Sequence, residues 1–271
     1  MKKVVSMEVP TYHDSLTGVK YIKPTTKLSF KKGVNEMSGM NCKLERLVGC
    51  ISALYVQTDG AYYGIDGVDP WDEQRDARLY DGPNPVVAHP PCQRWGKMYA
   101  GSPSVIAKTG QRKKLGDDGG CFKAAIASVR KWGGVLEHPW GSHAWKHFGI
   151  TVPPRTGGWI NAGDGFGMTC CVEQGRYGHY APKPTLLYAV RTITPELLWG
   201  KYEVKDSDFP AWAMERYGRE KCRRIGLLSF KGGGKDSTPR IHTPDEFRDL
   251  LVRIACTPNK NHSGPPAAAS S

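Results

Sequence analysis

The strongest constraint on the fold is a strand, helix and strand in succession between residues 85 and 139. Val86 and Val87 favour a strand, and Pro90 and Pro91 cannot continue a sheet ladder, so the backbone must leave the sheet there. Cys121 to Trp132 follows as a helix, with Phe122, Ala125, Ile126, Val129 and Trp132 at helical spacing and Gly133-Gly134 ending it. Gly134-Val135-Leu136-Glu137-His138-Pro139 is a second short strand, again broken by proline. This order predicts a right-handed parallel crossover, which ends both strands at the same edge of one sheet. Cys92 then stands just past the first strand and Glu137 near the end of the second, at the edge where open α/β sheets bind ligands. Alone, a cysteine behind a proline turn reads as a buried thiol; two groups brought to one edge read as a site.

The rest of the chain is arranged around this unit. Residues 1–45 form a lysine-rich arm without sustained periodicity, in which Val19, Tyr21 and Ile22 make one short strand. Ile51 to Gln57 reads as a buried strand, Asp59-Gly60 as a turn, and Ala61 to Gly64 as a segment pairing back in a hairpin. Asp66 to Asp72 reads as a loop and Asp72 to Tyr80 as a short charged helix. Gly96 to Gly120 is a long loop carrying Lys97, Lys108, Arg112, Lys113 and Lys114, either a mobile basic element over a substrate or plain disorder. His138, His143 and His147 are spaced for a metal on one helix face, but Pro139 and Gly141 weaken that helix, and ordinary packing is the simpler reading, so no metal is assigned.

Thr169 to Gln174 and Thr185 to Val190 read as a hairpin whose tip presents Gln174, Arg176, His179 and Lys183 to a base edge and phosphates, or simply to solvent. Phe209 to Arg219 reads as helical within an otherwise irregular stretch. Lys231 to Lys235 lacks the spacing of a phosphate loop. Thr243-Pro244-Asp245-Glu246 has the form of a capping box opening a helix through Phe247, Leu250, Leu251 and Ile254. Residues 46–256 are thus one α/β domain, with 191–240 as a possible small recognition insert and 257–271 as a disordered tail.

At 271 residues the chain can bury a full core. No apolar run approaches the roughly 18 residues of a membrane span. The N-terminus has lysines but no apolar stretch after them, so no secretory leader is expected and the cytoplasm is the expected location. Eight cysteines without a CxxC pair fit reduced thiols better than disulfides or a zinc ribbon. A net charge of +12 points to a polyanionic partner, most simply nucleic acid. No obligate protein partner is evident.

A nucleophilic cysteine beside a glutamate suits attack on an electrophile that is protonated in step. Arg94 and a basic cleft would raise the thiolate fraction. Pyrimidine chemistry fits these parts: the thiolate adds to C6, the glutamic acid protonates N3, and C5 becomes an enamine-like nucleophile that captures a one-carbon electrophile.

Pro90-Pro91-Cys92-Gln93 resembles the Pro-Cys-Gln nucleophile motif of DNA cytosine-5 methyltransferases, and Leu136-Glu137-His138-Pro139 is similar to their Glu-Asn-Val motif. Gln174-Gly175-Arg176 is loosely similar to their Gln-x-Arg-x-Arg motif. Residues 50–255 also resemble phage and prophage proteins with His-Pro-Pro-Cys, Leu-Glu-His-Pro and Tyr-Gly-His-x-x-x-Lys patterns. The resemblance implies a Rossmann-like, methyltransferase-type parallel sheet with helices on both faces and a small irregular appendage. It implies Cys92 and Glu137 as catalytic residues and S-adenosylmethionine as methyl donor, held by Tyr55, Gly60, Asp69 and Pro90. Gln57 and Asp59 stand where the family's cofactor loop has glycines. It further implies DNA contacts by Gln93, Arg94, Lys97, Gln174, Arg176 and Lys183. Two alternatives stand beside it: a pyrimidine-modifying enzyme with another one-carbon donor or a free-nucleotide substrate, a class in which thymidylate synthases also place a cysteine after two prolines, and a catalytically silent DNA-binding relative.

Overall fold

The computed structural model describes residues 11–13, 20–22, 51–230 and 242–258. Two compact units divide the chain, residues 1–43 and 44–271. In the first, β1 (Thr11–His13) pairs antiparallel with β2 (Lys20–Ile22). The expected short strand around Tyr21 is therefore one half of a small ladder.

The second unit is an α/β fold on a 7-stranded mixed sheet. Its strands are β3 (Ile51–Leu54), β4 (Val68–Trp71), β5 (Val86–Ala88), β6 (Gly134–Pro139), β7 (Ile160–Asn161), β8 (Gly167–Glu173) and β9 (Pro184–Val190). Their order across the sheet is β4-β3-β5-β6-β9-β8-β7. The first four are mutually parallel, and β9 runs antiparallel to both β6 and β8. The parallel sheet implied by the resemblance is thus present only as the four-stranded part β4-β3-β5-β6, and the expected hairpin joins it to make the sheet mixed. The connection over residues 174–183 is too short for a crossover, so β8 and β9 can only pair as a hairpin.

The alternation of strand residues sorts the core into two layers. Leu54, Val86, Ala88, Leu136 and Tyr188 face α2 (Cys121–Trp132), which buries Phe122, Ala125, Ile126 and Val129 against them. Ile51, Ala53, Val87, Val135 and Leu187 face the other way, onto Phe247, Leu250, Leu251 and Ile254 of α6 (Asp245–Cys256). A third, smaller cluster joins Ala181 to Phe209, Ala213, Cys222 and Leu227, seating α4 (Ala211–Ile225) and α5 (Leu227–Phe230) on the β8–β9 connection.

Several local expectations are corrected. Residues 61–64 form turns, not a hairpin arm, and the partner of β3 on that side is β4, inside the stretch read as a loop. Pro70 hides that strand from a propensity reading; β4 is an edge strand and can lack a donor. Residues 72–80 hold only a 3-10 turn at Ala77–Leu79. The long basic loop contains α1 (Pro103–Thr109), capped by Ser102 and burying none of its residues. The histidine segment holds one short helical turn, α3 (Ala144–His147). Helix α4 runs six residues beyond Arg219, through a break at Gly218 with φ +73°. At α6 the Thr243 side chain makes no cap; Pro244 is the capping residue and no side chain closes the helix start. Lys231 to Lys235 and most of the C-terminal tail lie outside the described residues.

Candidate active site

The two strands that carry the site are neighbours: β5 pairs with β6 in parallel register, Val86 opposite Gly134 and Ala88 opposite Leu136. Past Ala88 the chain turns through His89-Pro90-Pro91, and the Cys92 carbonyl then accepts from the amides of Trp95 and Gly96 at 3.0 and 3.2 Å. The chain after β3 runs to β4 on one side of the sheet, while β5 lies on the other. The order thus reverses between β3 and β5, the crevice position at which such sheets bind ligands. A cleft of about 590 Å³ lies there, lined by Tyr55 to Gln57, Asp59 to Tyr62, His89 to Gln93, Glu137, Pro139, Lys183, His242 and Thr243. That volume suits one small organic molecule.

Inside the cleft a hydrogen-bonded series holds Glu137. His89 Nδ1 lies 2.9 Å from Glu137 Oε2, and Tyr62 Oη lies 2.7 Å from His89 Nε2. The carboxylate can only accept, so the neutral ring carries its hydrogen on Nδ1 and receives the Tyr62 phenol hydrogen at Nε2. From the other side Gln174 Nε2 reaches Glu137 Oε1 at 3.3 Å and Thr185 Oγ1 at 2.9 Å. Burial alone would push the Glu137 carboxyl up, but the His89 hydrogen bond and the nearby Lys183 ammonium outweigh it. Glu137 is held below the ordinary carboxylate range.

Cys92 is a free, half-buried thiol. Burial and the Glu137 carboxylate raise its pKa, with Lys183 pulling the other way. Arg94 does not enter this balance: it lies outside the cleft, with its guanidinium donating to the Tyr99 carbonyl at 3.1 Å. The expected activation of the thiol by Arg94 is therefore corrected; the nearby cation is Lys183. Lys183 is itself held below the usual ammonium range by burial, against the pull of Glu137 and Cys92, and its Nζ donates to the His242 carbonyl at 3.1 Å.

The cleft thus unites Cys92, Glu137, Tyr55, Gly60, Pro90, Gln93 and Lys183 from the sequence reading. Gln174 is buried behind Glu137 and positions it. Asp69, Arg94, Lys97 and Arg176 do not line it. Asp69 is tied to Arg75 at 2.6 Å and to the Trp71 indole at 2.8 Å, and Arg176 binds the carbonyls of Gly200 and Lys201. Lys97 is exposed on the loop beyond. His89 and Tyr62 were missed. His89 lay inside the quoted motif, but its partner stands 48 residues away and its other neighbour 27. The histidines 138, 143 and 147 form no metal cluster among the described residues. His138 is instead a buried, neutral ring pushed down to about 4, chiefly by burial, and packed against Phe122 and Trp145.

The donor implied by the resemblance does not fit the residues after β3. No helix follows that strand; residues 55–67 are turns, so no helix start offers its free amides. Gly60 is required by its own turn, since a Cβ there would stand 2.8 Å from the Gln57 carbonyl. The acidic residue closing β4, Asp72, already accepts from Thr58 at 2.8 Å, Tyr63 at 2.6 Å and the Gln74 amide at 3.0 Å, which leaves little for ribose hydroxyls. No protein-family model, curated protein or solved structure matches the chain.

Proposed function

We propose that the chain is a pyrimidine-modifying enzyme in which the Cys92 sulfur adds to C6 of the base and Glu137 manages the proton at N3. The supporting observation is the convergence of Cys92 and Glu137, from the ends of adjacent parallel strands, on one cleft. Glu137 enters as a carboxylate, so it acts first as a base. It accepts the thiol proton of Cys92 and delivers it to N3 as the sulfur–C6 bond forms. The C5=C6 electrons move toward N3 and leave C5 as an enamine-like nucleophile. Lys183 stabilises the transient thiolate, and His89 and Gln174 hold the carboxylate in place throughout.

The net charge of +12, with Lys97, Lys108, Arg112, Lys113 and Lys114 exposed on the loop after Cys92, supports DNA as the substrate carrier. A base in duplex DNA would have to be flipped into the cleft. Cytosine is the base that the methyltransferase resemblance implies. The misfit after β3 favours the related reading, with a one-carbon donor other than S-adenosylmethionine or a free nucleotide as substrate. A silent DNA-binding relative would shift DNA in a salt-dependent way and form no adduct.

The test is covalent trapping on an oligonucleotide carrying 5-fluorocytosine, with and without S-adenosylmethionine, followed by mass spectrometry of nucleosides from DNA exposed to the protein. A donor-independent adduct on an oligonucleotide carrying 2-pyrimidinone is expected from the native chain and not from Cys92→Ala, whereas trapping on 5-fluorocytosine requires the electrophile and so reports whether S-adenosylmethionine is the donor. A Cys92→Ala protein that modifies DNA at the native rate ends the proposal.

A further inference from the structure

A substitution at C5 needs a second proton acceptor, because the C5 hydrogen must leave before the sulfur can. We infer that Tyr62 is this catalytic residue: its phenol oxygen takes the C5 proton while its own hydrogen passes to His89 Nε2, and Glu137 bears the resulting imidazolium. The inference rests on the proposed addition of Cys92 to C6.

The geometry follows from the ring. N3 and C6 are opposite corners of a pyrimidine, so a base with N3 at Glu137 and C6 at Cys92 is fixed along that diagonal. N1 carries the sugar and must face the open side of the cleft. The C4–C5 edge is then directed at the buried wall, where Tyr62 stands with only 3% of its surface exposed. Its phenol is 2.7 Å from His89 Nε2, and His89 Nδ1 is 2.9 Å from Glu137 Oε2. This is the hydroxyl–imidazole–carboxylate order in which an imidazole draws a hydroxyl proton while a carboxylate orients it.

Other titratable groups at the cleft are placed for different work. Lys183 donates to the His242 carbonyl and stands with the thiol. The Tyr55 phenol feels Cys121, Asp76 and Asp118, on the far side of its own ring. Asp59 and His242 are exposed at the rim. Burial and the Glu137 charge keep the Tyr62 phenol protonated until a base accepts its hydrogen, which is why His89 is needed.

The step is readable without a donor, as exchange of the C5 hydrogen. Once sulfur has added and N3 is protonated, water on the open face protonates C5 and leaves hydroxide. The original C5 hydrogen leaves to Tyr62 as the Tyr62 hydrogen passes to His89, restoring the enamine, and the imidazolium then returns its proton to the hydroxide through solvent. The C6–sulfur bond then breaks, and the N3 proton returns through Glu137 to the sulfur. The net change is one C5 hydrogen exchanged with water.

The experiment uses the full chain in ordinary water with two substrates, an oligonucleotide and a free deoxynucleotide, each carrying 5-deuteriocytosine. Deuterium loss is followed by mass spectrometry. In parallel, the rate of adduct formation is measured on an oligonucleotide containing 2-pyrimidinone, whose electron-poor C6 accepts a thiolate without chemistry at C5. Tyr62→Phe is expected to slow exchange by about 10²–10⁴-fold, the usual contribution of a positioned acid or base, and to slow adduct formation by less than about tenfold. His89→Gln, which keeps the phenol but removes its imidazole, reads the same step should Tyr62→Phe fail to fold. Exchange within threefold of native in a folded variant, or a native protein that forms adduct but never exchanges, overturns the role of Tyr62. A native protein that forms no adduct overturns the underlying reading instead.

Discussion

Gly134 fixes how closely the two site-bearing strands approach, and its replacement by alanine tests that arrangement. Gly134 has φ +116°, and a Cβ there would lie 2.0 Å from the Val86 carbonyl oxygen and 2.6 Å from the Val86 nitrogen. These are backbone atoms of β5 and cannot swing away. Restoring ordinary separations of about 3.5 Å requires β5 to retreat by more than about 1 Å. That would stretch the bond from the Val86 amide to the Gly133 carbonyl, now 2.9 Å, to breaking. The left-handed backbone costs a side chain about 1 kcal/mol, overpacking about 1–3 kcal/mol, and the lost hydrogen bond about 1 kcal/mol. Gly134→Ala should therefore cost about 3–5 kcal/mol, or roughly 10 °C in melting temperature for a unit of this size.

Gly149→Ala is the control. Gly149 also has a left-handed backbone, φ +70°, but a Cβ there would meet nothing within 4 Å. It should cost only the conformational share, about 1 kcal/mol or about 3 °C. Calorimetry on both variants isolates the steric part. Because β5 carries Cys92 and β6 carries Glu137, a displacement of about 1 Å should also slow adduct formation by on the order of 10²-fold. Equal melting temperatures for the two variants would refute the tight β5–β6 approach, and with it the account of how the site is assembled.

Three further outcomes are expected. The pH midpoint of Cys92 alkylation should lie above that of a free thiol; Glu137→Gln should lower it and Lys183→Met should raise it, because one group opposes and the other favours the thiolate. Asp164 accepts from Arg130 at 2.7 Å and from the Tyr188 phenol at 2.5 Å, and these bonds, with the Phe166 amide, outweigh burial and hold its carboxyl below the usual range. A lowered native pKa means stability fully present above about pH 3.9 and lost as pH falls through the native value. Asp164→Asn should thus cost about 2 kcal/mol at neutral pH, after discounting for the partly exposed Arg130, and the gap from native should close in acid melts. Finally, S-adenosylmethionine should leave the melting temperature unchanged, whereas a bound ligand at 100 times its Kd adds about 2.7 kcal/mol.

The elements legible in the sequence are those specified by local signals. The stripe Phe122, Ala125, Ile126 and Val129 with Gly133 behind it marks α2 to the residue, and the proline-ended runs mark β5 and β6. Their parallel pairing followed from the intervening helix, and with it the meeting of Cys92 and Glu137. What stayed hidden depends on partners distant in sequence. Pro70 reads against a strand until β4 is known to be an edge. Asp72 reads as the start of a charged helix until Thr58 and Tyr63 are seen to close on it. His89 reads as part of a turn until Tyr62 and Glu137 flank it.

The segment after β3 decides what the cleft can accept. A crossover helix there would turn its free amides toward a ligand's charged groups. Residues 55–67 instead coil in turns, with the Gly60 amide on the Gln57 carbonyl and the Tyr63 amide on the Gly60 carbonyl, both at 3.0 Å. Those turns put Tyr62 inward against His89 and lock Tyr63 onto Asp72. Tyr55, at φ +60°, adopts the backbone a glycine would favour, yet carries a partly buried ring packed against the core at the cleft wall. The wall is therefore phenolic where a nucleoside-bearing donor would need open backbone. The polar groups that remain at the cleft are Cys92, His89, Glu137, Lys183 and Tyr62, the groups to which the proposed reading assigns the atoms of one heterocycle. A cleft of about 590 Å³ is of the size that holds a small organic ligand. On the proposed reading, the electrophile for C5 reaches the seated base from the open face, so the expected order of addition is base first.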